Sequence, residues 1–330
     1  MLELLLSGGS EAAPTAFTFD KIVCLALPED SLVRVRDSRV NIIRGNVTCH
    51  EDVQALFKET PEGSVLIHTA GIIHPQRVSD LYAVNVQGTA DLVETAAKCG
   101  VAKAVVISSN SPIGVSRDPS VVFDETTPFN PYMNYGRSKM MMEQRLAEIG
   151  RKESIGIVVL RPPWFYGTNQ PARQSEFFRL IRDGKVPIVG DGHSKRSMAY
   201  LDNIAQAIFL SIVNPSADGE TFWISDERPY EMNEIVSTIR SVLEDGFGIR
   251  CSSKVLRLPM VVGDIATGLD RALQAIGKYD QKIHVLSEMN KTIACSIRKA
   301  ESVLNYHPTI SLREGMRRSI EWVIQNRGSI

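Results

Sequence analysis

Residues 85–108 read NVQGTADLVETAAKCGVAKAVVIS. Val86, Ala90, Val93 and Ala97 recur at spacings of three and four, which predicts one helix over Asn85–Cys99, and Gly100 follows as its stop. The next run, Ala102–Ser108, is apolar and β-branched without alternation, as a strand buried on both faces requires. A helix that hands directly to such a strand is half of a βαβ unit. The same kind of run stands at Lys21–Leu27 (KIVCLAL), Val40–Arg44 (VNIIR), Val65–Thr69 (VLIHT) and Ile155–Leu160 (IGIVVL). Together they predict an α/β fold built on a doubly wound parallel sheet.

Past Phe165 the rhythm changes. Helices are expected at Gln174–Asp183, Asp202–Val213, Met232–Leu243 and Leu312–Gln325, with a strand at Thr221–Ser225. The expected division is a nucleotide-binding part over 1–165 and a smaller mixed α/β substrate lobe over 166–330, partly interleaved and closing a cleft.

The chain of 330 residues is 43% hydrophobic, and 37 Lys plus Arg stand against 38 Asp plus Glu, a net charge of -1. Such a balance offers no field for nucleic acid, and no apolar run reaches the roughly 18 residues of a membrane span. Five cysteines are scattered without a CxxC pair, which predicts reduced thiols and a cytoplasmic protein. Six histidines without HxxxH spacing predict no metal site.

The start of the chain departs from the pattern. A dinucleotide-binding sheet opens with a strand, a glycine-rich turn and a helix, and no GxGxxG occurs near Met1. Either Leu2–Leu6 is the opening strand and Ser7–Ser10 a degenerate phosphate loop, or Leu2–Leu6 ends a first helix whose strand and glycine loop lie upstream. The second reading is preferred, because the 14 residues before Lys21 contain Pro14 and barely allow a crossover.

Tyr135-Gly-Arg-Ser-Lys139 sets a phenol and an ammonium one helical turn apart. A phenol with a pKa near 10 is a poor base at neutral pH. A Lys charge about 4 Å away at an effective dielectric near 20 contributes roughly 4 kcal/mol, which would bring that pKa down by about three. Around this pair stand RGNVT (44–48), VLIHTAG (65–71), NVQGT (85–89), VVISSNSPIG (105–114), DETTPFNPYMNYGRSK (124–139), LRPPWFYG (160–167), GDGHSKRSMAYLDN (190–203) and LNYHPTISLREGM (304–316). In these pieces, from about Lys21 to Gly328, the chain resembles the extended short-chain dehydrogenase/reductases, the NAD-dependent epimerase/dehydratase group.

The resemblance implies a Rossmann fold and a set of roles. Tyr135 resembles the catalytic acid/base, Lys139 the residue that holds the nicotinamide ribose, and Ser109 the serine that hydrogen-bonds the reacting oxygen, with Ser111 as its rival. Asn46 and Val47 stand where members contact the adenine, although many have an aspartate at the first position. Thr69, Ala70 and Gly71 resemble the turn that approaches the cofactor, and Pro162 the turn beside the nicotinamide. His68 reads as a packed strand histidine and Asn85 as a structural helix start. Leu25–Glu29 has no arginine directly after the strand, which favours NAD, while Arg34 and Arg36 keep NADP open.

Sugar dehydratases of this group carry carboxyl groups where this chain has Asn110 and Ser111, so elimination of water is not expected. The preferred reading is an oxidoreductase or epimerase acting by hydride transfer on a nucleotide-diphosphate sugar, with Arg196 on the diphosphate and the chain a homodimer through long helices, here Asn134–Ile149. An apolar alcohol such as a hydroxysteroid is the alternative, with Val261, Val262, Ile265, Leu269, Leu273 and Ile276 as its wall. A non-catalytic family member with a degraded cofactor site is a third.

Overall fold

The computed structural model describes residues 5–6, 19–30, 37–328 and 330. In the first half the elements are β1 (Ile22–Ala26), β2 (Val40–Arg44), α1 (His50–Phe57), β3 (Val65–His68), α2 (Val78–Tyr82), α3 (Thr89–Lys98), β4 (Lys103–Ile107), α4 (Met133–Lys152) and β5 (Gly156–Arg161). The second half adds β6 (Trp164–Tyr166), α5 (Ala172–Arg182), β7 (Pro187–Val189), β8 (Lys195–Arg196), β9 (Met198–Tyr200), α6 (Leu201–Val213) and β10 (Thr221–Trp223). It ends with β11 (Tyr230–Glu231), α7 (Met232–Ser241), β12 (Leu256–Leu258), α8 (Met260–Ala275), α9 (Gln281–Glu288) and α10 (Leu312–Arg327).

β4 and β5 run without alternation because both of their faces are covered. Ala104, Val106, Ile157 and Val159 pack under α1, α3 and α4, through Val53, Leu56, Val93, Met142 and Leu146. Val105, Val158 and Leu160 face the other way onto Ile204, Ala207 and Ile208 of α6 and onto Leu304 and Tyr306. The strands form a four-stranded parallel sheet in the order β10-β5-β4-β3, so this is the doubly wound α/β fold. β10 and α6 reach it from beyond residue 166. A further core, built on Phe178, Ile181, Ile235, Ile239, Met316 and Ile320, joins α5, α7 and α10.

β1 pairs in parallel with β2. Among the described residues β1 has no other ladder partner, and β3 has none but β4. Leu5 and Leu6 are helical, and Leu5 packs on Ile22, Ile67, Ala205 and Phe209. Ser7–Ser10, Arg34 and Arg36, on which the phosphate-loop and NADP readings turn, lie outside the described residues. All five cysteines are free. No described helix is long and apolar enough to cross a membrane.

The helix expected at Asn85–Cys99 opens instead as a π-helix over Ala83–Gly88. Asn85 explains the wider turn. Its Nδ2 donates to the Ile72 carbonyl (2.9 Å) and to Ser138 Oγ (3.1 Å), and its Oδ1 accepts from the Ile72 N–H (2.9 Å). A side chain held from three directions pulls its own turn open.

The row proposed to wall an apolar substrate is exposed at four of its six positions, with Val262 and Leu273 half-buried. Val261, Ile265, Leu269 and Ile276 of α8 and its end are 56%, 59%, 52% and 68% exposed, while the buried positions of α8 are Gly263, Ala266, Asp270 and Gln274. The helix is turned with its polar and small residues inward, where Gln274 bonds Asn134 of α4 and Asp270 bonds His284 of α9.

Candidate active site

β4 ends at Ile107 and delivers Ser108 and Ser109 to the carboxyl edge of the sheet, where doubly wound folds bind ligands. The two serines divide their work. Ser108 Oγ donates to Glu143 Oε1 (2.5 Å), and Glu143 is paired with Arg161 (2.5 Å), both side chains 5% exposed. The Arg161 guanidinium also lies over the Trp223 and Phe129 rings. This unit stands behind the site and fixes α4 to β5.

Ser109 is left to face Tyr135, and its hydroxyl favours the phenolate. Ser111 is its neighbour, with the two hydroxyls 3.4 Å apart, and both are buried. The loop can lie against α4 because of one residue. A Cβ on Gly136 would stand 2.4 Å from the Ser111 carbonyl oxygen. Only glycine lets the backbones meet and so brings Tyr135 to Ser109. Met133, two residues earlier, has φ 53°, a strained value for a side-chain-bearing residue. The turn is held there by the Tyr132 hydroxyl on Ser287 Oγ (2.7 Å) and by the Asn134 N–H on Gln274 Oε1 (3.0 Å).

Lys139 is buried one turn on, and its Nζ donates to the Ile107 carbonyl (3.0 Å). Burial pushes the ammonium down to about 8, opposed by Glu143, and pushes Tyr135 up to about 12 despite Ser109. The expected lowering of the tyrosine by the lysine is therefore absent. The lysine charge is spent on the Ile107 carbonyl, and removal of the phenol from water dominates.

The residues expected to meet the cofactor follow β2, β3 and β5. Thr69, Ala70 and Gly71 are exposed directly after β3. A Cβ on Gly71 would come 3.4 Å from Lys139 Nζ and 3.3 Å from Asn85 Oδ1. The turn thus lies against the Lys139 ammonium with its backbone uncovered. Val47 packs its carbonyl against Gly88, where a Cβ would stand 3.0 Å away. Asn46 is exposed, with its Oδ1 accepting from the Thr48 N–H (3.0 Å) and hydroxyl (2.9 Å), which leaves its NH2 outward. Pro162 is buried at the end of β5. His68 accepts or donates to Thr89 Oγ1 (2.9 Å), and burial drives it down to about 3, so it is a neutral packed histidine. Among the described residues no three His, Cys, Asp or Glu side chains could hold a metal ion together.

Arg196 lies elsewhere in its chemistry. It is 5% exposed, and its guanidinium donates to the backbone carbonyls of Lys291 and Glu288 (2.5 Å for the latter), closing the end of α9. Missed in the sequence is Glu288, a carboxylate that raises Tyr135 and draws on Arg196. Behind it His284 pairs with Asp270 (2.7 Å) and stands 3.8 Å from Glu288.

A family model for the NAD dependent epimerase/dehydratase family matches residues 20–225. The chain belongs to that family. NAD is accordingly its cofactor, and the turn at 69–71 with Lys139 fits it. The uncharacterized protein y4nL of Sinorhizobium fredii is 47% identical over 98% of this chain and 90% of its own length. Sterol-4-alpha-carboxylate 3-dehydrogenase erg26, decarboxylating, of Schizosaccharomyces pombe is 24% identical over 89% of this chain and 87% of its own. Among solved structures, UDP-glucose 4-epimerase of Thermotoga maritima with UDP-glucose shares the fold at a TM-score of 0.73 and 18% identity, covering 98% of this chain and 94% of that one.

Proposed function

We propose that the chain oxidises a secondary alcohol of a nucleotide-diphosphate sugar, as a dehydrogenase or, when the carbonyl is reduced again on its other face, as an epimerase. The observation that carries this reading is the convergence of Ser109, Tyr135 and Lys139 at the carboxyl end of the parallel sheet, beside the exposed turn at 69–71. Thr69, Ala70, Gly71, Asn46, Val47 and Pro162 would hold NAD, which supplies the hydride acceptor. Ser109 orients the substrate hydroxyl, Ser111 supports it, and Tyr135 takes the hydroxyl proton. Lys139 must leave the Ile107 carbonyl to hold the ribose and favour the phenolate, which starts from a pKa of about 12.

A sterol-type alcohol has support in the relative erg26, yet Val261, Ile265, Leu269 and Ile276 of the row that would face it are exposed. A non-catalytic role is opposed by the three intact side chains. The free thiols suit the cytoplasm, and α4, with Met141 exposed, is the surface proposed to pair two copies.

The test is Tyr135→Phe. Turnover is expected to fall about 10²–10⁴-fold, the usual worth of a positioned acid/base, with NAD binding retained. A loss under threefold with binding unchanged sinks the assignment.

A further inference from the structure

Immediately before Tyr135 the start of α4 opens on a cavity of about 920 Å³ that α8 lines from its other side. Ser109, Tyr135, Lys139 and Arg196 do not line it, while Asn134, the residue before Tyr135, does. Its charge is lopsided. Arg117, Arg137, Arg271 and Lys291 line it against a single carboxylate, Asp264, in a chain whose net charge is -1.

Asp264 cannot balance them. Its Oδ1 already accepts from Arg117 (2.7 Å) and from Lys291 Nζ (3.4 Å). Arg137 and Arg271 are exposed and form no ion pair with any described residue. Lys291 is 4% exposed, held on Asn290 Oδ1 (2.8 Å), and burial together with Arg117 and Arg196 pushes its ammonium down against the pull of Asp264. Uncompensated charge around a buried lysine marks a site that an anion would complete.

The number of cations selects the anion. A lone carboxylate would satisfy one guanidinium and leave the rest unpaired, whereas a diphosphate diester brings two charges and several oxygens spaced for guanidinium forks. The volume lies within the range of ligand pockets. We propose that this cavity binds the diphosphate of the substrate, with Arg137 and Arg271 as its exposed arms and Lys291 as its buried anchor. The inference rests on the reading above, in which the substrate carries a diphosphate, and it moves that group away from Arg196, whose guanidinium is committed to two carbonyls. The diphosphate can join the sugar to a nucleoside or to an apolar chain, and the two carriers are told apart by their probes.

The experiment titrates inorganic pyrophosphate, UDP and farnesyl diphosphate by calorimetry into the full chain with NAD present throughout, so that the cofactor's own phosphates do not compete. The double variant Arg137→Gln, Arg271→Gln is expected to bind these probes at least tenfold more weakly, with NAD affinity and melting temperature unchanged as the check on folding. Preference for UDP over pyrophosphate assigns the nucleoside source, and preference for farnesyl diphosphate assigns the apolar one. In the second case the cavity stands while the nucleotide reading falls. Failure of all three probes to bind the wild-type chain, or binding by the variant within twofold of wild type, overturns the proposal and leaves the assignment of Tyr135 untouched.

Discussion

Lys139 carries its charge where water does not reach, and this costs the folded protein stability. Its native value of about 8, against an ordinary 10.5, corresponds to about 3 kcal/mol. Below pH 8 the lysine is protonated folded and unfolded alike, so the penalty is full there. It shrinks as pH rises from 8 towards 10.5, because the folded state sheds its proton first. Lys139→Met is therefore expected to melt higher than wild type at pH 7, by a margin reduced by the lost bond to the Ile107 carbonyl, and the margin should narrow above pH 8 while turnover is lost. Melting curves across that range check it. Gly136→Ala tests the opposite kind of constraint. Its methyl group would press on the Ser111 carbonyl at 2.4 Å, so about 1–3 kcal/mol of stability and most of the turnover should go together, read by thermal melting and NAD reduction.

At the scale of elements, α8 and α9 bear on the start of α4 through buried polar side chains. His284 bonds Asp270 from α8 (2.7 Å) and stands near Glu288, and Gln274 reaches both Asp270 (2.8 Å) and Asn134 (3.0 Å). Burial opposes the imidazolium, but Asp270 and Glu288 outweigh it and raise His284 above 6.5. Its contribution is thus whole below pH 6.5 and is lost as pH rises through the higher native value. Wild type should lose melting temperature over that window relative to His284→Gln, and parallel slopes would remove the imidazolium from the account. This pair of helices also marks the limit of what sequence could show. The strands and α3 were legible because burial on both faces writes unbroken Val/Ile runs and a three-four period. The buried positions of α9 are His284 and Ser287, and those of α8 are glycine, alanine, aspartate and glutamine, so no hydropathy period pointed inward. For the same reason the apolar row on α8 reads in sequence as an inward face, although Val261, Ile265, Leu269 and Ile276 are exposed. Ser109, Tyr135 and Lys139 could be read from the motif and its company, whereas Glu288 comes from an element with no such signature.

For the whole molecule, the two halves of the chain share one sheet. β10 hydrogen-bonds to β5, and α6 covers Val105, Val158 and Leu160. A fragment ending at residue 165 would leave that apolar face in water, and it is expected to aggregate or remain unfolded; a cooperative melt from the fragment alone would show that the halves are independent. The unit of Ser108, Glu143 and Arg161 has a consequence over longer times. Loss of either charge strands its partner in the interior at about 3–5 kcal/mol, more than half of what a marginally stable domain has to spare. Single steps away from the pair are closed, although a simultaneous exchange of both for apolar residues is not. These positions should therefore pass from ancestor to descendant as a block, and a relative that has changed one of them should be found to have changed the other.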